Sequence, residues 1–210
     1  MPDLKNIYLY FLSLRKLIFK LIRELLFSTN FYNKLLISAI PSRFFFYPNP
    51  YLFSPLLNHK SYLFKISKND IGNFWNENLK KKEEKNIHSF LWLSLIDRKN
   101  ETEIIQKIIR DWISKYGNYK KDIWNDNIIN KRIIAWISNS EIILNNVQKD
   151  FEKIFFQSLI KQINFIKKSL KFVSHETIKI SSISAIMLSG LVFKEYFNNY
   201  SMGLKELKKI

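Results

Sequence analysis

From Ile7 to Phe27 apolar residues cover most of a helical circumference, and Lys16, Lys20, Arg23 and Glu24 form a narrow charged stripe at helical spacing. Charges at Arg15, Lys16, Lys20 and Arg23 interrupt any signal-peptide core, and no small-residue cleavage site follows. No charge-free run approaches the roughly twenty residues of a spanning helix. Two readings remain: a basic amphipathic helix on a membrane surface, or a helix that packs its broad face on the rest of the protein. The packed helix is the expectation. Pro41, Pro48, Pro50 and Pro55 then punctuate Phe44-Phe45-Phe46-Tyr47, which predicts an extended aromatic arm strapped across the body. Tyr62-Leu63-Phe64-Lys65-Ile66 reads as a short strand or more arm, and Lys80-Lys81-Lys82-Glu83-Glu84-Lys85 as a solvated turn.

Beyond that run the apolar period becomes 3.6. Helices are predicted over about 89–97, from a capping box at Asn100 and Glu103 to a stop at Gly117, over about 128–145, over about 150–172, and from near Ser174 or His175 to near Tyr196. The short polar links predict stacked antiparallel hairpins. Ser181, Ala185 and Ser189 recur every four residues, with Gly190 beside the last, a stripe that lets a neighbouring helix approach closely. The organisation expected is a basic helix and proline-rich arm over 1–60 and an all-α body over 61–210.

Composition narrows the function classes. All five prolines lie within the first 55 residues, so nothing covalently forbids helices afterwards. No cysteine is present, which excludes disulfides, thiolate metal sites and a cysteine nucleophile. His59, His88 and His175 are scattered without metal-ligand spacing, and no glycine-rich phosphate loop or nucleophile elbow occurs. No cofactor is called for. The net charge of +16 attracts polyanions: nucleic acid, anionic lipid or acidic polysaccharide. An AT-rich genome produces the same Lys, Asn and Ile excess without any ligand. No recognisable nucleic-acid motif accompanies the charge, and the absence of a clean leader points to a cytoplasmic or membrane-peripheral protein rather than a secreted one.

Four of the five tryptophans fall between Asn86 and Trp136. They make either an aromatic helical core or a groove that stacks flat ligands. Arg132 and Trp136 are four apart and share a helical face, which Asn139 continues. A guanidinium fork beside an indole suits an acidic sugar. The alternative is a core Trp136 with Arg132 paired to a local acid. His88, the one histidine in this stretch, is read as a structural hydrogen-bond donor rather than a base.

The blocks Asn86-Ile87-His88-Ser89-Phe90-Leu91-Trp92-Leu93, Asp111-Trp112-Ile113, and Trp124 followed at eight and twelve positions by Arg132 and Trp136 resemble the amino-terminal part of the heparinase II/III family. Ser184-Ala185-Ile186-Met187-Leu188-Ser189-Gly190-Leu191-Val192-Phe193 resembles that family's glycine-containing helix, so the resemblance covers about 75–210. It implies an (α/α) toroid, here incomplete, and cleavage of uronic-acid polysaccharide by β-elimination, with His88, Trp124, Arg132, Trp136 and Asn139 as substrate-binding residues. In that chemistry one group neutralises the uronate carboxylate while a base removes the C5 proton. The family's Asn-His pair falls in register with Thr177 and Ile178, which do not supply those roles. The chain stops at Leu207-Lys208-Lys209-Ile210, about where a further family segment is expected. The expectation is therefore a front portion of a lyase-type protein that binds acidic polysaccharide without cleaving it alone, its missing half carried by a separate chain or lost. The rival class is a basic module for nucleic acid or an anionic membrane surface, reached through Ile7 to Phe27.

Overall fold

With proline confined to the first quarter, the remaining backbone is free to coil, and the computed structural model shows that it does. It describes residues 4–49, 75, 81–95 and 102–210, and among them there are helices and no strand. The all-α expectation holds. The segment 62–66, expected as a short strand or more arm, lies outside the described residues, as do Pro50, Pro55, His59 and the Asn100 cap.

Helix α1 (Leu4–Ser28) leads through the Thr29 cap into a short α2 (Asn30–Leu35). The body comprises α3 (Lys81–Ser89), a 3-10 turn (Leu91–Leu95), α4 (Thr102–Tyr116), α5 (Asp126–Ser138), α6 (Ser140–Ile143), α7 (Lys149–Ser169), α8 (Glu176–Val192) and α9 (Phe197–Leu207). Three local expectations are corrected. The Lys81–Lys85 charge run is the start of α3, not a turn. The helix expected at about 89–97 is a 3-10 turn, because Phe90 takes a left-handed φ of 57° and ends α3. That conformation is costly for an aromatic residue. It swings the Phe90 ring into the core, 5.5 Å from Trp92, 5.8 Å from Trp112 and 5.4 Å from Trp136. Finally, the last predicted helix breaks after Val192, and the chain continues as α9.

The close approach expected at the small-residue stripe is where α9 docks on α8. A Cβ added at Gly190 would stand 2.4 Å from the Tyr200 backbone nitrogen. Asn199 donates from Nδ2 to Ser189 Oγ at 2.9 Å across the same contact. Helix α5 touches α3, α6, α7 and α8 and is buried on nearly every side, from Ile128 through Ser138. A helix apolar all round belongs in a core.

The aromatic arm crosses α7 and α8. Phe44 stacks on Phe193 at 4.7 Å and lies 5.3 Å from Phe156, Phe45 N–H donates to Val192 O, and Asn164 Nδ2 donates to Leu36 O at 2.9 Å. Helix α1 behaves otherwise. The expectation that it packs its broad face on the body fails: Ile7, Phe11, Leu14, Ile18, Ile22 and Leu25 are all exposed, and its main helix contact is with α2.

Candidate functional site

Every residue singled out for ligand contact lies in the core. Arg132, Trp136 and Asn139 have no accessible surface, and Trp124 and His88 retain only 2% and 4%. The expected concave face on Arg132 and Trp136 is therefore corrected. Isoleucines on all sides of α5 let α3, α7 and α8 close over it, so the Arg–Trp pair is sealed in rather than turned out.

Once buried, the guanidinium is held by neutral groups. Arg132 Nε donates to Gln162 Oε1 at 2.6 Å, Nη1 donates to the His88 carbonyl at 3.0 Å and the Ile123 carbonyl at 3.4 Å, and the charge sits 4.2 Å from the Trp112 ring centre. Among the described residues no carboxylate bonds to it, and Nη2 is buried without a hydrogen-bond partner. Burial drives its pKa down from the usual arginine value. The cation–π contact and charge-assisted bonds offset part of the desolvation cost.

His88 is the second hub. Trp112 Nε1–H donates to its Nδ1 at 3.0 Å, which fixes the proton of the neutral ring on Nε2. Trp75 stacks on it at 5.2 Å, and Tyr116 meets it edge-on at 4.8 Å. Burial first, then Arg132, Lys115 and Lys120, lowers its pKa to about 3, so it stays neutral at ordinary pH. Trp124 donates to the Tyr116 carbonyl at 2.9 Å and packs edge-on against Phe165. Asn139 caps α5 and donates to the Ala135 carbonyl at 2.8 Å. These side chains build a scaffold. None of them can touch a polymer in this conformation.

A concave, charged surface does exist one layer out. Where α4 ends at Gly117, a cleft of about 360 Å³ opens between that turn and α7. Lys115, Lys120 and Lys161 line it together with Asn118, Gln157 and Ser158, and no acidic residue takes part. A side chain at Gly117 would collide with the Ile113 carbonyl, 2.3 Å from the added carbon, so the turn requires glycine. Lys161 donates to the Gly117 carbonyl at 2.8 Å and to Asn118 Oδ1 at 2.5 Å, tying α7 to the turn. Burial lowers its pKa to about 8. Lys115 donates to the Trp75 carbonyl at 2.6 Å, and the exposed Lys120 ammonium lies 4.7 Å from the Tyr116 ring. The cleft offers cations, amides and two serine hydroxyls beside Ile37, Ile113 and Ile154, a set of donors for carboxylates or sulfates. A smaller hollow of about 240 Å³ gathers Lys167, Lys171 and Lys179, but Glu206 lines it too.

Sequence reasoning passed over the Gly117 cleft. One signal was available: Lys161 interrupts the apolar run Leu159-Ile160-Lys161-Gln162-Ile163 in a helix interior. Thr177 is exposed in the first turn of α8, and Ile178 is half-buried with its carbonyl accepting from Asn130 Nδ2 at 3.3 Å. Among the described residues no group of three or more His, Asp or Glu side chains converges as a metal site would require. No family model matches the chain, and no curated protein or solved structure matches it.

Proposed function

We propose that the chain is the amino-terminal helical domain of a heparinase II/III-type polysaccharide-lyase protein, part of an (α/α) toroid, and that it contacts uronic-acid polysaccharide through the Lys115–Lys120–Lys161 cleft. One observation carries the reading. The three separated blocks of the resemblance meet at a single point: His88 supplies a carbonyl to Arg132, Trp112 its ring, and Ile123, beside Trp124, a second carbonyl. Blocks that build one structural unit have a physical reason to keep their spacing. On this reading the resemblance is one of fold, and its residues position rather than bind.

What they position is the Gly117 turn. Gln162 anchors Arg132, and the adjacent Lys161 anchors the turn, so core and cleft share one stretch of α7. Uronate carboxylates in an extended polymer meet a row of ammonium groups there, while Asn118 and Gln157 serve sugar hydroxyls. Cleavage is not assigned to this chain. β-Elimination requires a neutralising donor and a base at the C5 proton, and Thr177 and Ile178 stand in the family register for the Asn-His pair without supplying either.

The test is calorimetric titration with heparan sulfate and polyuronate oligosaccharides, with DNA of matched charge as control. Lys115→Gln with Lys120→Gln should weaken polyuronate binding about tenfold, while Lys208→Gln, distant in sequence and exposed, changes it little. Lys161 is cationic below about pH 8, so affinity should fall as pH rises through 8. Ultraviolet absorbance from unsaturated uronate should stay flat. DNA bound as tightly as polyuronate, with both indifferent to the lysine changes, would replace this reading by a basic module of general polyanion affinity. A steady absorbance rise would show that the chain carries its own catalytic groups.

A further inference from the structure

Helix α1 is 25 residues long, about 37 Å at the helical rise. Ile7, Phe11, Leu14, Ile18, Ile22 and Leu25 follow one another at spacings of four and three and are between 39% and 69% exposed. Tyr8, Tyr10, Leu17, Phe19, Leu21 and Leu26 widen that stripe on both sides and are exposed as well. Among the described residues its last two turns are tied to the body: Phe27 is buried against Tyr32 and Phe165, Arg23 lies 4.6 Å over the Phe172 ring, and Glu24 pairs with Lys121. A body that seals a fully buried arginine leaves a dozen large apolar side chains of one helix in water. Contiguous patches of this size mark an interaction surface.

Charge and width identify the occupant. Between Leu4 and Arg23 the helix carries five cations, Lys5, Arg15, Lys16, Lys20 and Arg23, and no acid. By spacing, Lys5, Lys16, Lys20 and Arg23 share the side opposite the apolar stripe. A second copy of the helix would need only a narrow heptad seam, much narrower than this arc. A broad apolar arc with aromatics, backed by a polar face whose charges are cationic, fits an anionic lipid interface, where the apolar chains sink in and the basic face stays at the headgroup level. Among the described residues no helix is long and apolar enough to cross a membrane. We infer that α1 lies in the plane of an anionic lipid bilayer and tethers the helical body to that surface.

The inference stands apart from the polysaccharide reading and has its own readout. Because the chain has no cysteine, Phe11→Cys can carry a single environment-sensitive fluorophore, and Lys208→Cys can carry the same label on the body. Vesicles of phosphatidylcholine with a minority of phosphatidylglycerol should bind the protein at least about tenfold more tightly than phosphatidylcholine alone. The label at position 11 should shift to the blue, and the label at 208 should not. Leu14→Asp with Ile18→Asp should abolish vesicle binding while leaving the near-ultraviolet tryptophan spectrum and heparan sulfate binding unchanged. A label at 11 that remains in water on bound vesicles would overturn the inference, because attachment would then run through the basic body. A concentration-dependent dimer, lost on Ile18→Asp and indifferent to vesicles, would assign the face to a second copy instead.

Discussion

Arg15 and Arg132 each stand four residues before an aromatic ring on the same helix, with opposite outcomes. In α1, Arg15 lies 5.5 Å from the Phe19 ring, and both side chains are exposed. In α5, Arg132 precedes Trp136 by the same interval, and both are sealed, with the guanidinium turned onto Trp112 of α4 instead. Local spacing is identical, so it cannot decide between a groove, a core and a free surface. What decides is the rest of the circumference and whether partner helices arrive. Isoleucines surround Arg132 on α5 and draw α3, α7 and α8 around it, whereas α1 presents a comparable apolar arc that stays exposed, with α2, Phe165 and Phe172 meeting its C-terminal end. The arginine in the core became structural because its neighbours collapsed, and the one on α1 remains available because they did not.

The largest expected effect lies at the buried member of that pair. Arg132→Met keeps most of the volume but leaves Gln162 Oε1 and the His88 and Ile123 carbonyls without their donor in a dry site. Relief of the charge-burial cost offsets part of this, and a net loss of about 3 kcal/mol is expected from urea unfolding. Arg132→Lys should recover only part of it, because one ammonium cannot reproduce the planar fork. A loss below about 0.5 kcal/mol would mean that Arg132 is a passenger in the core and that its convergence with the three blocks carries no weight.

The same core should respond to acid. His88 in the folded protein has a pKa of about 3 against 6.5 for a free histidine, so the unfolded chain binds the proton first. Its contribution to stability is complete above pH 6.5 and declines as pH falls toward 3. Between pH 6.5 and pH 5 the loss from this one group is about 2 kcal/mol. Protonation also ends the Trp112 bond, since Nδ1 can no longer accept. His88→Gln retains an acceptor for Trp112 and removes the titration, so its stability profile over that range should be flatter than the parent's. Superimposed profiles would place the acid response elsewhere.

The extent to which the fold can be read from sequence follows from the range of the forces involved. Helices without internal proline, an aromatic arm after Pro41, a stop at Gly117 and close packing at Gly190 are local consequences of backbone sterics, and all are present among the described residues. The end of α3 at Phe90 is not local: a left-handed aromatic is tolerated only because Trp92, Trp112 and Trp136 receive its ring. Helix α9 lies beyond the helix end expected near Tyr196, and it is held there by a long-range contact, the bond of buried Asn199 to Ser189 on α8. None of the residues expected to bind a ligand lines the Gly117 cleft. Cationic and aromatic groups do meet near Trp112, but the accessible cations, Lys115 and Lys120, flank a glycine turn that helical periodicity passes over, and Lys161 reaches that turn from more than forty residues away.

The smallest expected effect is at α1, and it is the one that sharpens the comparison most. Leu14→Gln and Ile18→Gln replace two exposed apolar side chains on its broad face with a residue of good helix propensity, so backbone preference changes little. If these side chains are in water in the folded protein, unfolding does not newly expose them, and each change should move the urea midpoint by less than about 0.5 kcal/mol in equivalent stability. The same pair should reduce partition onto anionic vesicles severalfold, since there the apolar face loses the environment it was suited to. A stability loss of about 2–3 kcal/mol per residue, the scale for uncovering a buried leucine or isoleucine, would show that α1 packs against the body in solution. The contrast between the two arginines would then be one of degree, and the lipid face would have to be sought elsewhere on the molecule.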